Sequence, residues 1–134
     1  MSKENLQRWY DFVKNHDTNA LSEMLADDVV FHSPVVHSPQ EGKAITFMYL
    51  AAAGKVLGND SFEYVGEYLS DNGAVIEFKT DIDGIKLDGI DMITWNADNK
   101  ISEFKVMVRP LKAVNKIHEM MGAMLQAMAE KKAG

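Results

Sequence analysis

The chain has 134 residues, no cysteine and a formal net charge of −6 at pH 7. This length fits one domain with its own hydrophobic core, so we expect a single domain over residues 1–134. The lack of cysteine excludes disulfides and thiolate metal sites and is typical of a reducing compartment, which predicts a cytoplasmic protein. The negative charge disfavours nucleic acid and anionic membranes as partners. No apolar run approaches the ~20 residues that span a bilayer, and the N-terminus lacks the apolar stretch of a signal peptide.

The first part of the chain carries helical periodicity. Apolar residues recur at i, i+3, i+4 and i+7 in Leu6, Trp9, Tyr10 and Val13, which predicts a helix over about 3–15. Turn and N-cap residues at 15–19 precede a short second helix that includes Leu25. The β-branched and aromatic run 29–32 predicts a strand, followed by an irregular loop. A third helix is predicted between Gly42 and Gly58.

The second half of the chain has the pattern of β-strands. Four β-rich runs, at about 62–69, 74–82, 85–95 and 101–109, are separated by hairpin-type turn residues, which predicts an antiparallel meander. Pro110 then suits the first turn of a final helix over about 111–130. Helices, a meander and a last helix together indicate an α+β domain.

The segment LADDVVFHSP, from Leu25 to Pro34, followed by Gly42 at the start of a helix, resembles a signature of the nuclear-transport-factor-2-like superfamily. Within it, the chain resembles the SnoaL-like and ketosteroid-isomerase-like branch along nearly its whole length. The resemblance implies a cone-shaped fold in which helices pack on a curved antiparallel sheet and enclose one pocket. It also implies a homodimer. Because this fold hosts isomerases, cyclases, dehydratases, epoxide hydrolases and non-catalytic binders, it does not by itself assign a function.

Catalytic positions carried over from these relatives are only partly retained. Ser33 stands where the isomerase has its general-base Asp, and a hydroxyl cannot take a carbon-bound proton at neutral pH. Trp9 stands at the position of an oxyanion-donating Tyr, and its indole N–H can donate one hydrogen bond. Asp91 matches the isomerase's protonated Asp, whereas Val106 replaces an Asp of the epoxide hydrolases. The resemblance therefore implies that neither activity is present.

Asp91 also stands out from the residues alone. Two-residue alternation puts it in one row with Ile85, Leu87, Gly89, Ile93 and Trp95. A carboxylate in an apolar wall should be desolvated, with a raised pKa. The alternative is a bulge at Gly89 that turns Asp91 to the outside, since Ile90 and Met92 are apolar too.

We expect a pocket whose wall includes nine residues: Trp9, Ser33, Tyr49, Phe78, Asp91, Ile93, Phe104, Val106 and Val108. Asp91 is the candidate acid and His32 a second catalytic candidate, although alternation from Phe31 turns His32 away from the pocket. His32 and His37 lack a third ligand nearby, so no metal site is predicted, and no cofactor is expected.

The surviving residues are hydrogen-bond donors and apolar walls, which favours a protein that binds a small, largely apolar molecule. One alternative is an isomerase, cyclase or dehydratase that uses Asp91 as acid. Another is a module that only dimerises, with a pocket filled by its own side chains. A homodimer through the outer face of the sheet is expected because Ile90 and Met92 would be exposed in a monomer.

Overall fold

The computed structural model describes residues 2–133 of the chain, with side chains up to residue 129. Its elements in chain order are α1 (Ser2–Asn15), α2 (Thr18–Met24), β1 (Leu25–His32), β2 (Gln40–Glu41), α3 (Lys43–Leu57), β3 (Glu63–Leu69), β4 (Gly73–Ile82), β5 (Ile85–Trp95), β6 (Ile101–Arg109) and α4 (Leu111–Ala133). No helix in residues 2–133 is both long enough and apolar enough to cross a membrane.

The region from α2 to β2 differs from the sequence-based prediction. Helix α2 ends at Met24, and strand β1 begins at Leu25, four residues before the predicted start. Leu25 fits either pattern, because a single apolar residue between a helix and a strand satisfies both periodicities. The short strand β2 lies in the segment predicted as a loop, where two residues pair with β1.

The sheet has six strands in the order β2-β1-β6-β5-β4-β3. The predicted meander is present, because β3, β4, β5 and β6 pair in succession and antiparallel. Strand β1 pairs with β6 in parallel, so the sheet is mixed rather than wholly antiparallel. Since no tight turn joins β1 to β6, local sequence does not dictate their relative direction.

Strand β5 runs past β4 without a bulge. Their pairing is continuous from Gly73 opposite Thr94 to Ile82 opposite Ile85, so the alternative of a bulge at Gly89 is wrong. A Cβ at Gly89 would lie only 2.3 Å from Cζ of Phe78 on the paired strand. Glycine is therefore needed at this position to let the aromatic ring lie across β5.

The concave face of the sheet carries the core in two clusters. The first lies between α1 and the sheet and includes Leu6, Trp9, Phe31, Ile93, Trp95 and Phe104. The second lies under α3 and α4 and includes Val56, Phe78, Leu87, Ala113 and Ile117. The helices therefore cover only this face, and the space between the two clusters becomes the candidate site.

Candidate functional site

A cavity of about 490 Å³ lies between the concave face of the sheet and helices α1, α3 and α4. Most of its wall is aromatic or aliphatic and comes from Phe12, Phe31, Leu50, Leu57, Phe62, Phe78, Phe104, Ile117, Met121 and Leu125. A volume of this size falls within the ~300–1,000 Å³ that is usual for small-molecule pockets. The fold therefore leaves open a space that its own side chains do not fill.

A chain of hydrogen bonds forms one polar patch in this wall. The Trp9 indole Nε1–H donates to the Tyr64 hydroxyl at 3.0 Å, and that hydroxyl donates to Oδ2 of Asp91 at 2.8 Å. The Trp9 ring is held in place by Phe104, at 4.9 Å between ring centroids, and by Phe12 at 5.3 Å. Because an indole can only donate, Tyr64 is the acceptor in its bond with Trp9, and its own hydrogen is left to donate to Asp91.

Asp91 lies between two apolar neighbours on the paired strands, Ile76 on β4 and Val106 on β6. It is only 6% exposed. Burial raises the pKa of its carboxyl to about 7, and the hydrogen bond from Tyr64 offsets part of that rise. Burial, and then the charge of Asp91, raise the pKa of the Tyr64 hydroxyl well above its ordinary value. The phenol therefore stays neutral, and the carboxyl is poised to be protonated near neutral pH.

The protonation state of Asp91 decides what this patch offers to a ligand. With Asp91 ionised, the Tyr64 and Asp91 pair holds one hydrogen, which is used in the bond between them. With Asp91 protonated, the pair holds two hydrogens, so one remains to donate to an acceptor in the cavity. The Trp9 N–H helps to orient the Tyr64 hydroxyl, since it donates to a lone pair of the Tyr64 oxygen.

The solvent-exposed part of the cavity wall has a different composition. Lys14 and His16 at the end of α1, Asn59 after α3, and His118 on α4 all line it. Lys14, His16 and His118 are exposed, but they also form part of the cavity wall. Among the described residues, no three His, Cys, Asp or Glu side chains are grouped closely enough to hold a metal ion.

Of the residues predicted from the sequence, the structure brings most to the cavity. Seven of them line it: Trp9, Ser33, Tyr49, Phe78, Asp91, Phe104 and Val106. Ile93 does not, because it is 2% exposed and packs in the same buried cluster as Leu6 and Trp95. Val108 also lies outside the wall and packs against the second cluster. Both residues face the concave side, but side chains of the core occupy the space in front of them.

His32 is not part of the cavity wall. It lies on the outer face of β1, where its Nε2 is 3.1 Å from Oε2 of Glu103 on the neighbouring β6. The neighbouring Ser33 does reach the cavity, and its hydroxyl accepts a hydrogen bond from the backbone N–H of Val35 at 3.2 Å. The catalytic assignment of His32 is therefore corrected: the pleat of β1 points it away from any ligand in the cavity.

Tyr64 is the residue that sequence reasoning missed. It lies on β3 in alternation with Phe62, and both residues line the cavity. That alternation was visible in the sequence. The link to Asp91 was not, because it spans 27 residues and two strands. A tyrosine on a strand is common as packing, so only the tertiary contact identifies its hydroxyl as part of a site.

Comparison with known proteins places this geometry in a family. Residues 6–104 match the SnoaL-like domain. A solved steroid delta-isomerase from Pseudomonas aeruginosa is 31% identical, with a TM-score of 0.88 over 98% of this chain and 94% of that one. An uncharacterized conserved bacterial protein with a cystatin-like fold from Silicibacter pomeroyi DSS-3 is 25% identical, with a TM-score of 0.86 over 94% and 88%.

A putative polyketide cyclase from Sinorhizobium meliloti shares the fold at 19% identity, with a TM-score of 0.62 over 78% of this chain and 94% of that one. No curated protein sequence matches the chain. The family match covers most of the described residues, and the similarity to the isomerase extends over nearly the full chain. The chain therefore belongs to the SnoaL-like domain family of the nuclear-transport-factor-2-like superfamily.

Proposed function

We propose that this protein binds a small, largely apolar molecule in the cavity and holds a carbonyl or similar acceptor of that molecule by a hydrogen bond from the Tyr64 and Asp91 pair. The observation that carries this proposal is the buried chain from Trp9 through Tyr64 to Asp91 at the wall of an otherwise apolar cavity. A buried donor without a partner is costly, so an acceptor that enters the cavity gains affinity there.

The open cavity argues against a module that only dimerises. Such a module has no reason to keep about 490 Å³ unfilled, because empty space in a core costs packing energy. The wall also contains Met121, Gly122 and Leu125 from one face of α4, a mixture of adaptable and small residues that leaves room for a guest. These features support a protein that binds a ligand.

A catalytic role is the second candidate, and a specific observation favours it: the 31% identity with a protein described as a steroid delta-isomerase. Asp91, with a pKa of about 7, would be a suitable general acid. Ser33 lines the cavity where the resemblance requires a proton-accepting carboxylate, and the imidazoles that could act as a base, His16 and His118, lie at exposed positions of the wall and not at that position. We therefore expect no steroid Δ-isomerase activity from the wild-type protein.

The experiment uses an androstenedione-type steroid as the probe, with binding and isomerisation measured in parallel. Asp91→Asn keeps a donor, so we expect it to retain most of the affinity, whereas Asp91→Leu should weaken binding by about 1–3 kcal/mol. Asp88→Asn is the matched control, because Asp88 lies on the same strand but on the outer face. It should leave binding unchanged.

The two functions differ in their outcomes. A binder shows affinity but no turnover in the wild type, and Ser33→Asp then tests whether a carboxylate at that position introduces a trace of isomerisation. Clear wild-type turnover that falls in Asp91→Asn while binding is retained would establish the enzyme instead. If the Leu variant binds as well as the wild type, the role given to Asp91 is wrong.

A further inference from the structure

The polar groups of the cavity are segregated by charge. At the inner end the polar groups are neutral donors or a carboxyl that is easily protonated. At the open rim the charged or titratable side chains are Lys14, His16 and His118, all of which can carry positive charge. Among the described lining residues, Asp91 is the only carboxylate. These exposed positions thus carry one cation, Lys14, and two imidazoles, in a chain whose net charge is −6.

From this segregation we infer that the natural ligand is an amphipathic anion: an apolar carboxylic acid whose body fills the cavity and whose carboxylate lies at the rim between Lys14, His16 and His118. This inference rests on the proposed function, because it specifies the ligand class of the same cavity. It gives the ligand two polar ends, an acceptor at Tyr64 and Asp91 and an anionic group at the mouth.

The cation at the rim is available for a ligand. Four basic side chains elsewhere on the surface have carboxylate partners, namely Lys79 and Arg109 with Asp88, Lys86 with Asp81, and Lys116 with Asp83, whereas others, such as Lys43 and Lys105, have no such pair among the described residues. Within the part of the chain that the structure describes, Lys14 forms no such ion pair. The nearby Asp17 is engaged as the N-cap of α2, where its side chain accepts from the backbone N–H groups of Asn19 and Ala20.

A purely structural explanation covers only part of this cluster. Lys14 and His16 lie at the C-terminus of α1, where a positive charge offsets the partial negative charge of the helix end. His118 lies in the interior of α4, where that effect does not apply. Acidic neighbours in sequence, such as Asp60 and Glu119, are not part of the cavity wall. Three elements thus bring positive or neutral groups, and no rim carboxylate, to one opening.

The test compares dodecanoate with 1-dodecanol, which share a chain length and differ in the charge of the head group. Each displaces Nile red, a neutral dye whose fluorescence reports an apolar site, with dodecanoate kept below its micellar concentration. We expect dodecanoate to bind about tenfold more tightly than dodecanol at low salt, and the difference to shrink at high salt. Lys14→Gln should weaken dodecanoate about threefold to tenfold and leave dodecanol unchanged.

Two further variants make the result decisive. Lys105→Gln makes the same change in net charge on the outer face of the sheet, and it should affect neither compound. Gly122→Leu places a side chain in the cavity at a position where a Cβ atom would have nothing within 4 Å, and it should abolish dye binding. Loss of the dye in this variant identifies the cavity as its site.

Different binding results would contradict the inferred ligand class and the proposed function. If Nile red binds in the cavity but dodecanol equals dodecanoate, or Lys14→Gln weakens both compounds alike, the anionic ligand class is overturned and cavity binding stands. If the wild type does not bind the dye, or Gly122→Leu binds it as well as the wild type does, the proposed function fails and the inference fails with it.

Discussion

Two carboxylates of strand β5, three residues apart, lie in opposite environments. Asp88 is on the outer face of the sheet, with Arg109 at 3.1 Å and Lys79 at 3.9 Å. Asp91 is on the concave face, where the one side-chain partner found for it among the described residues is the Tyr64 hydroxyl. The helices cover the concave face alone, so the pleat of a single strand sends one acid into water and the other into the core.

The two faces of the sheet accommodate a carboxylate in different ways. Outside, water and two cations accommodate the charge of Asp88, and such exposed pairs contribute little to stability. Inside, burial opposes ionisation of Asp91, so the chemistry available is donation of a hydrogen bond by a neutral acid. Asp88 and Asp91 are the same residue type, so the chemistry of the candidate site comes from the buried position of Asp91.

The largest expected effect is on the pH dependence of stability, measured by urea unfolding between pH 4 and 8. Because the pKa of Asp91 rises from 3.8 to about 7 on folding, the native state binds the proton more tightly, and wild-type stability falls as pH rises through this window. Asp91→Asn removes this loss, and its advantage over the wild type should grow to at most ~4 kcal/mol above pH 7.

Asp88→Asn is the matched control for this prediction. It removes a carboxylate that has two cationic partners, so it should lower stability by less than about 1 kcal/mol at neutral pH. Parallel stability curves for Asp91→Asn and the wild type from pH 4 to 8 would show that Asp91 is not desolvated in the folded protein.

Tyr64→Phe should have the next largest effect. It leaves the Trp9 indole N–H and the Asp91 carboxyl without their shared partner, which costs about 1–3 kcal/mol of stability. It should also raise the pKa of Asp91 further, because the lost hydrogen bond lowers that pKa. Urea unfolding and NMR titration of the Asp91 carboxyl carbon measure the two effects.

Tyr10→Phe is the control, since the Tyr10 hydroxyl donates to the exposed Glu67 and not to the buried chain. Loss of the Tyr10 hydroxyl should lower the free energy of unfolding less than Tyr64→Phe does. It should also leave the pKa of Asp91 unchanged. A Tyr64→Phe variant in which Asp91 titrates at a lower pH than in the wild type would contradict the arrangement described.

A smaller effect is expected from Gly122→Ala in helix α4. Nothing lies within 4 Å of a Cβ at this position, so alanine fits and should stabilise the helix by about 0.5–1 kcal/mol. The same methyl group projects into the cavity wall, so affinity for bulky ligands should fall. Thermal unfolding and Nile red binding test the two together, and a gain in both would show that the glycine does not make room for a ligand.

Gly84→Ala is the control for Gly122→Ala, and its expected effect on stability has the opposite sign. Gly84 has a φ of 84°, a conformation that strains any other residue, so alanine there should destabilise the protein without changing the cavity.

The smallest effect on the fold is expected on the outer face of the sheet, where we propose a homodimer. Met107 is 48% exposed and pairs with Ile90, and Val75 pairs with Met92, which makes a diagonal apolar patch across three strands, flanked by Glu77 and Lys105. Ile90→Lys should leave the unfolding midpoint nearly unchanged but convert dimer to monomer. Light scattering at high micromolar concentration measures this, and a strictly monomeric wild type would contradict the dimer.

Much of the fold could be predicted because its signals are local. The turn residues between the β-rich runs predicted the meander, and the structure has those strands in sequential antiparallel pairing. The parallel pairing of β1 with β6 could not be predicted from turns, because no short connection joins the two strands. The end of α2 at Met24 was missed because periodicity does not fix boundaries within a few residues.

The family, the α+β class and the alternation that puts Asp91 on the apolar side of β5 could all be inferred from the residues alone. The set of side chains that share the cavity with Asp91 became clear only from the folded structure. Tyr64 and the rim residue His118 come from elements far apart in the chain, and Ile93 is excluded because the core fills the space before it. Alternation is a property of one strand, whereas a site depends on distances between elements, and those distances arise only when the helices close over the sheet.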